Sequence, residues 1–419
     1  MCERLALPIS VSPDFAGSGV GTARRPYTAG LKKKILLVHQ SLRPPGGSTA
    51  VAAWTIEVLK DDYEVTLLTE TEPDVAATDR FYGTSLGESN LSVIRLSRAA
   101  RFVFGLDPDQ ASIQPVAYLM RLSRRYRRDY DAVIATGTEE MDLGGPGVNY
   151  VHYPYLARFW GKYRDSGAGW MGCLRGETKP WMLLAGIRVE RLKQSTLLAN
   201  SDWTGRQVEN GYGIRPRTLY PPVTAPPRVL DWEAREEGFV TAGRLHVAKR
   251  MDWILSVLGK VRERRPAIRL HLVGTREPGR VGEAFYAGLR KLVDENRDWV
   301  QLHEDLPRED LLELMGRCRY AIHALRAEHF GIAPAEALMA GCVPFVHNSG
   351  GQVEIVGRDP RLCYEDEEAT EKISAVLGDR ATLTALREML AAQRELFTVE
   401  RFRIGMRAAV EEVIAASRR

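Results

Sequence analysis

The stretch from Ala327 to Glu354 leaves this chain few folds to choose from. It opens Ala-Glu-His-Phe-Gly-Ile-Ala-Pro and closes on Gly350-Gly351-Gln352-Val353-Glu354. Just before it, Tyr320 to Ala324 is a short apolar run that reads as a buried strand. Pro334 suits the first turn of a helix, where its missing N–H costs nothing. That helix runs through Glu336 and Ala340 and stops at Gly341, a natural C-terminal cap. Val343 to Val346 is a second strand, followed by a Gly-Gly turn. In such a strand–loop–helix–strand unit the helix N-terminus turns its free N–H groups toward the loop, a ready site for an anion. Two carboxylates flank that site, Glu328 before the helix and Glu336 inside it.

A chain of 419 residues exceeds one typical core, so two domains are expected. The net charge is only +4, and the surplus sits in the first 220 residues, with 28 Lys and Arg against 23 Asp and Glu. That mild excess, without aromatic–basic recognition modules, gives no reason to expect a nucleic-acid partner. Cys2, Cys173, Cys318, Cys342 and Cys363 are scattered, with no C-x-x-C pair. This suits a reduced, cytoplasmic protein without structural zinc. No apolar run reaches the roughly 18 residues a bilayer span needs. Residues 1–30 lack the layout of a signal peptide and read as a flexible extension, or as the product of a start codon set upstream of the true one.

Two glutamates eight positions apart around Phe-Gly-Ile, then Gly-Cys-Val-Pro and Gly-Gly-Gln-Val-Glu, make a specific combination. It resembles the donor-site signature of the family 4 retaining glycosyltransferases. The resemblance implies the GT-B fold: two facing Rossmann-like α/β domains with a nucleotide-sugar in the cleft between them. It implies that Glu336 hydrogen-bonds the nucleotide ribose, that Glu328 contacts the transferred sugar, and that the Gly331 and Ile332 amides meet the sugar or the diphosphate. The alternative is a pair of solvated charges at a helix end.

A second motif lies upstream. Phe239 to Ala242 reads as a strand, and Gly243-Arg244-Leu245-His246-Val247-Ala248-Lys249-Arg250 follows it. An Arg and a Lys on a loop that starts with Gly can grip two phosphates, Arg as a planar fork and Lys as a point charge. The resemblance assigns the donor diphosphate to Arg244 and Lys249. Gly243, and Gly274 after the strand Ile268–Val273, join the donor-binding set. By the same resemblance, residues 300–306 reach the nucleotide base through main-chain groups, and His303 is given no role.

The first half alternates strands with helical patterns. Ile35–Val38 opens it, and a Gly46-Gly47 loop leads into a helix from Thr49 to Lys60. Strands are expected at Val65–Leu68, Ser92–Leu96, Ala132–Ala135, Val148–Val151, Thr196–Asn200 and Thr218–Tyr220, a doubly wound α/β pattern. Gly46 and Gly47 let backbone N–H groups approach an anion, and the resemblance turns them toward the donor diphosphate. His152 ends a strand, where α/β sites collect ligands. A matching His in the family's cleft adds it to Glu328, Arg244 and Lys249 as a catalytic candidate; a satisfied structural histidine is the other reading. His-Tyr-Pro at 152–154, Asn200-Ser201-Asp202-Trp203-Thr204 and Leu219-Tyr220-Pro221-Pro222-Val223 are similar to segments of GDP-mannose-dependent dolichol-pathway mannosyltransferases, which tilts the donor toward GDP-mannose.

Arg121 to Arg128 holds five arginines and reads as a solvated helix face. Asp107-Pro108-Asp109 reads as a turn rather than a metal site, and no metal or cofactor is expected. The segment from Tyr155 to Lys193 carries Trp160, Trp170 and Trp181 with eight Lys and Arg against three acids. A membrane-interface surface and a helical insertion with buried Trp residues are both open. Pro221-Pro222 and Pro226-Pro227 mark a linker. The domains are therefore expected at 31–222 on the acceptor side and 223–396 on the donor side, with a helix within 397–419 crossing back onto the first.

The expectation is a metal-independent retaining transferase. It moves a hexose from a nucleotide-diphosphate sugar, GDP-linked rather than UDP-linked, to a hydroxyl on a glycan, lipid-linked or small-molecule acceptor, with peripheral membrane contact open. The competing readings are a UDP-sugar donor, an epimerase or phosphorylase on the same fold, and an inactive scaffold.

Overall fold

The computed structural model of the protein describes residues 32–105, 113–137, 140–157, 186–226 and 228–417. The 1–30 extension, the Asp107-Pro108-Asp109 string and the tryptophans of the 155–193 segment lie outside them.

Two parallel sheets carry the chain. The first has seven strands: β1 Lys33–Val38, β2 Tyr63–Thr69, β3 Ser92–Arg95, β4 Ala132–Ala135, β5 Val148–Val151, β6 Thr196–Ala199 and β7 Arg217–Thr218. Their spatial order is β3-β2-β1-β4-β5-β6-β7. The second has six: β8 Glu236–Ala242, β9 Arg269–Gly274, β10 Val300–Glu304, β11 Cys318–His323, β12 Val343–His347 and β13 Cys363–Tyr364, in the order β10-β9-β8-β11-β12-β13. Central strands such as Ile35–Val38 and Val343–His347 are buried throughout, because helices cover both faces of a parallel sheet. This is the GT-B architecture.

The strand expected at Thr218–Tyr220 is displaced to Arg217–Thr218. The reason is that Tyr220 leaves the sheet to pack on Phe330 and Phe397 in the core of the second domain. The first helix begins earlier than read, at Gly47, and ends at Leu59. The last helix, Val399–Ala416, buries Phe402, Met406, Val410, Val413 and Ile414 in the core of the first sheet. Burying each such side chain stabilises by roughly 1.5–3 kcal/mol, so this helix is tied firmly to the first half of the chain.

Each sheet reverses its winding once, between β1 and β4 in the first and between β8 and β11 in the second. In open α/β sheets the crevice past the strand ends at such a reversal is where ligands sit. The segments leaving those four strands carry most of the residues singled out in the sequence.

Candidate functional site

In the second sheet the loops after β8 and β11 converge on a largely enclosed carboxylate. Glu328 Oε2 accepts from Lys249 Nζ at 3.2 Å and from His323 Nε2 at 3.2 Å, while Oε1 accepts from the His329 amide at 3.1 Å. Burial alone would push this carboxyl up. His323 and Lys249 outweigh burial and hold it well below the ordinary carboxylate range, so it is an anion. Burial pushes His323 down. Lys249 reaches Glu328 along Gly243, where a Cβ would lie 3.3 Å from the lysine chain. Gly274 lies so close to the Gly243 carbonyl that a Cβ there would stand 2.4 Å from that oxygen, so the two strand ends meet only because it is glycine.

Beside this cluster begins the helix Ile332–Met339. Gly331 precedes it with φ +101°, a conformation costly for any other residue, and its side of the helix has neither a capping side chain nor an acid in the first turn. The positive end of the helix therefore faces the crevice without an internal counter-charge. Glu336 is buried in this helix and paired at 2.5 Å with Arg308 Nη2, itself almost fully enclosed. Arg308 was not singled out in the sequence. Its guanidinium lies over the Phe81 ring of the first domain, 5.4 Å from the centroid.

Arg244 stands apart. Its side chain is exposed and holds Glu277 at 3.3 Å, so it is a mobile-length cation at the rim rather than a member of the buried cluster. Arg250, its neighbour in the motif, is a scaffold: it makes two hydrogen bonds to Asp366 at 2.8 and 2.7 Å and stacks on Trp253.

The first-domain crevice faces this one. A Cβ on Gly47 would come 3.3 Å from Ile332 Cγ1, and the Gly46 carbonyl accepts from Tyr82 Oη at 2.8 Å. His39 ends β1 and His152 follows β5. Both are buried, and both make a hydrogen bond to the Thr136 carbonyl. His152 Nε2 is buried without an acceptor or donor among the described residues, which leaves a polar atom for a ligand to satisfy.

The seam between the domains rests on residues whose roles the sequence did not disclose. Ser201 Oγ donates to the His329 carbonyl at 2.6 Å, and His329 stacks on Tyr153 at 4.3 Å. Glu354 accepts from the Asp202 and Trp203 amides at 2.8 and 2.9 Å, closing the N-terminus of the first-domain helix Asp202–Tyr212. The Asn-Ser-Asp-Trp segment and the Gly-Gly-Gln-Val-Glu turn are thus two sides of one contact.

His303, given no role, belongs to a polar chain elsewhere. His271 Nδ1 meets His303 Nε2 at 3.1 Å and His271 Nε2 meets Glu236 at 3.0 Å. Cys318 completes a group with Glu236 and His271 whose ligand atoms lie within 4.8 Å of one another. Glu236 and Cys318 begin their strands, so this group sits at the end of the sheet away from the crevice. Of the described residues, no helix is long and apolar enough to cross a membrane.

The two buried histidines predict a pH response. Burial holds His39 down to about 4, and burial with the nearby His39 and His329 holds His152 down to about 3, against an ordinary 6.5. The unfolded chain takes up protons from pH 6.5 downward while the folded rings refuse them. Stability is therefore full above pH 6.5 and falls as the pH drops from there toward 4, by about 2 kcal/mol per ring at pH 5. Urea midpoints from pH 7.5 to 5 measure this; a flat profile would mean that the rings protonate freely.

Residues 227–393 match the family of glycosyl transferases group 1. The chain is 26% identical over 175 residues to GDP-Man:Man(3)GlcNAc(2)-PP-Dol alpha-1,2-mannosyltransferase of Yarrowia lipolytica, covering 38% of this chain and 28% of that one. It spans less than half the length of the curated relatives it matches. Among solved structures, sucrose-phosphate synthase from Thermosynechococcus elongatus superposes with a TM-score of 0.65 at 16% identity, over 92% of this chain and 100% of that one. Anabaena HepE, in complex with UDP and glucose, gives 0.60 at 15% identity, over 90% and 99%. Residues 227–393, which carry the Glu328–Lys249 cluster and the Gly331 helix start, thus match a glycosyl transferases group 1 domain within a chain of GT-B fold.

Proposed function

We propose that the protein is a retaining hexosyltransferase that moves a sugar, mannose from GDP-mannose in the favoured reading, onto a hydroxyl acceptor. The observation that carries this reading is the meeting of two switch-point crevices at Gly47 and Ile332, with a half-buried cation, an uncapped helix start and an orphan histidine nitrogen around them. The donor diphosphate binds against the Gly331–Ile332 amides and Lys249, and Arg244 swings in from the rim. Glu336 takes the ribose, with Arg308 fixing its carboxylate. The Gly46-Gly47 turn approaches the diphosphate from the other side.

As the bond from the anomeric carbon to the phosphate oxygen breaks, charge grows on the leaving diphosphate. Fixed cations and amides stabilise that charge more than they stabilise the ground state. The acceptor hydroxyl attacks from the same face and passes its proton to the departing phosphate oxygen. The anomeric configuration is kept without a carboxylate nucleophile pair. His152, neutral and buried, donates or accepts one hydrogen bond to the sugar, and Glu328 orients it. Domain closure excludes water, which would otherwise hydrolyse the donor.

A thermal-shift screen against GDP, UDP, ADP and their sugar conjugates tests the reading. GDP and GDP-mannose are expected to raise the melting temperature, and Arg244→Ala and Glu336→Ala to abolish the rise. Stabilisation by UDP alone would replace the donor while keeping the site. No shift from any nucleotide at millimolar concentration would remove the donor site and favour a scaffold.

A further inference from the structure

The arginine run at 121–128 is the expected solvated face only in part: Arg121, Arg125 and Arg128 are exposed. Arg124 and Arg127 turn inward and, with Arg128 and Arg191, line a cavity of about 590 Å³. It lies beneath the start of β4, bordered by Gly144 and by Ile414 of the last helix, at the end of the first sheet away from the cleft.

Among the described residues the charges lining the cavity do not balance. Four guanidinium groups stand there against one carboxylate, Asp131, which already accepts from the Lys34 amide at 2.8 Å. Behind the wall the fully buried Asp142 holds Arg191 at 2.7 Å and Arg124 at 3.7 Å. Arg127 has no such partner: its Nη1 is buried with no acceptor among the described residues, and so is Nε of Arg191. Burial pushes the Arg124 and Arg127 pKa values down; at Arg124 the Asp142 carboxylate pulls the other way, while Arg191 and Arg121 add to the push. Glycines make the room. A Cβ on Gly144 would lie 2.9 Å from Arg124 Cγ, and one on Gly145 would lie 3.3 Å from the Arg127 guanidinium.

Half-desolvated guanidinium groups held close together repel one another and leave donors unmet, unless an anion enters. Phosphate oxygens match the planar fork of Arg, and a concave low-dielectric wall concentrates the field on them.

We propose that this cavity is a binding site for a phosphate-class anion, of diphosphate or phosphomonoester type, separate from the interdomain cleft. Arg127 is its principal unsatisfied donor, Arg128 its outer cation, and Arg124 and Arg191 the wall fixed by Asp142. The same chemistry is offered by a soluble phosphate compound and by the headgroup of an anionic lipid.

Calorimetric titration of the full chain with inorganic pyrophosphate tests the site, using Arg244→Ala protein so that the cleft contributes least. Binding is expected there, weakened about tenfold or more when Arg127→Ala is added. Arg128→Glu, an exposed change that leaves the packing alone, is expected to weaken it as well, which keeps the test open if Arg127→Ala fails to fold. Flotation with phosphatidylglycerol vesicles, against phosphatidylcholine alone, separates the sources. Arg127-dependent vesicle binding names a headgroup, and Arg127-dependent pyrophosphate binding without it names a soluble ligand. If neither probe binds, or binding survives both variants, the proposal is overturned.

Discussion

Replacing Lys249 with alanine is expected to lower the unfolding free energy by about 2–3 kcal/mol and to reduce donor turnover by roughly a hundredfold to a thousandfold. The first effect follows from what the lysine leaves behind. Glu328 keeps only 18% of its side chain exposed and is ionised, held there by Lys249 and His323. Without the ammonium, a carboxylate remains in a desolvated loop with one imidazole and one amide. Breaking a fully buried pair from one side typically costs 3–5 kcal/mol. Both side chains here keep about a fifth of their exposure, which lowers the figure. The double variant Lys249→Ala/Glu328→Gln removes both charges and is expected to regain most of the stability. It should regain none of the activity, because the leaving diphosphate still lacks its cation. Urea unfolding and donor turnover on the four proteins of this cycle separate the two effects. Equal stability loss in the single and double variants would show that Lys249 acts through packing rather than charge.

What the sequence disclosed and what it withheld divide along a physical line. Local patterns carry local structure. The apolar run at Ala132–Ala135, Pro334 in the first turn, and Gly341 after the last were all readable, because each states a backbone requirement within a few residues. Glu328 and Glu336 stood out because they flank a helix start. Their partners did not. Arg308 lies 28 positions before Glu336, and Lys249 lies 79 before Glu328. No periodicity links residues that only a sheet crossover brings together. The arginine run was legible in part: Arg121, Arg125 and Arg128 are exposed as read, while Arg124 and Arg127 turn inward. Cations at helical spacing look solvated until the chain places Asp142 and two glycines against two of them, and that placement is a tertiary fact. Arg244 and Arg250 look alike within their motif, yet one is an exposed rim cation paired with Glu277 and the other is a clamp on Asp366.

Glu354→Ala is expected to cost about 3 kcal/mol or more, and Glu354→Gln roughly half of that. This carboxylate sits at 3% exposure, and three donors depend on it: the Asp202 and Trp203 amides and the Tyr220 hydroxyl at 3.1 Å. Alanine leaves two backbone N–H groups at a buried helix start without an acceptor, and each costs about 1–2 kcal/mol. Glu354 meets the two amides through different oxygens, so glutamine keeps an acceptor for one and turns its NH2 toward the other. It also gives up the charge that faces Arg358 Nη2 at 3.4 Å, a half-exposed partner, so the lost ion pair adds little to the cost. The partners lie in different domains, so the variant also tests how the cleft is held. Gly351, three residues earlier, packs so tightly on the His329 carbonyl and on Ser201 that no side chain fits there. With Glu354 gone, the helix Asp202–Tyr212 is held to this turn chiefly by Ser201 and the His329 stack. The distance between Gly47 and Ile332 then fluctuates more, and the gain in melting temperature from a bound nucleotide should shrink along with the stability. If Glu354→Ala unfolds earlier in urea yet keeps the full nucleotide shift, the carboxylate is a cap and nothing more. If both fall together, and both recover in part in Glu354→Gln, the turn that ends the donor-side motif is also what fixes the first domain against it.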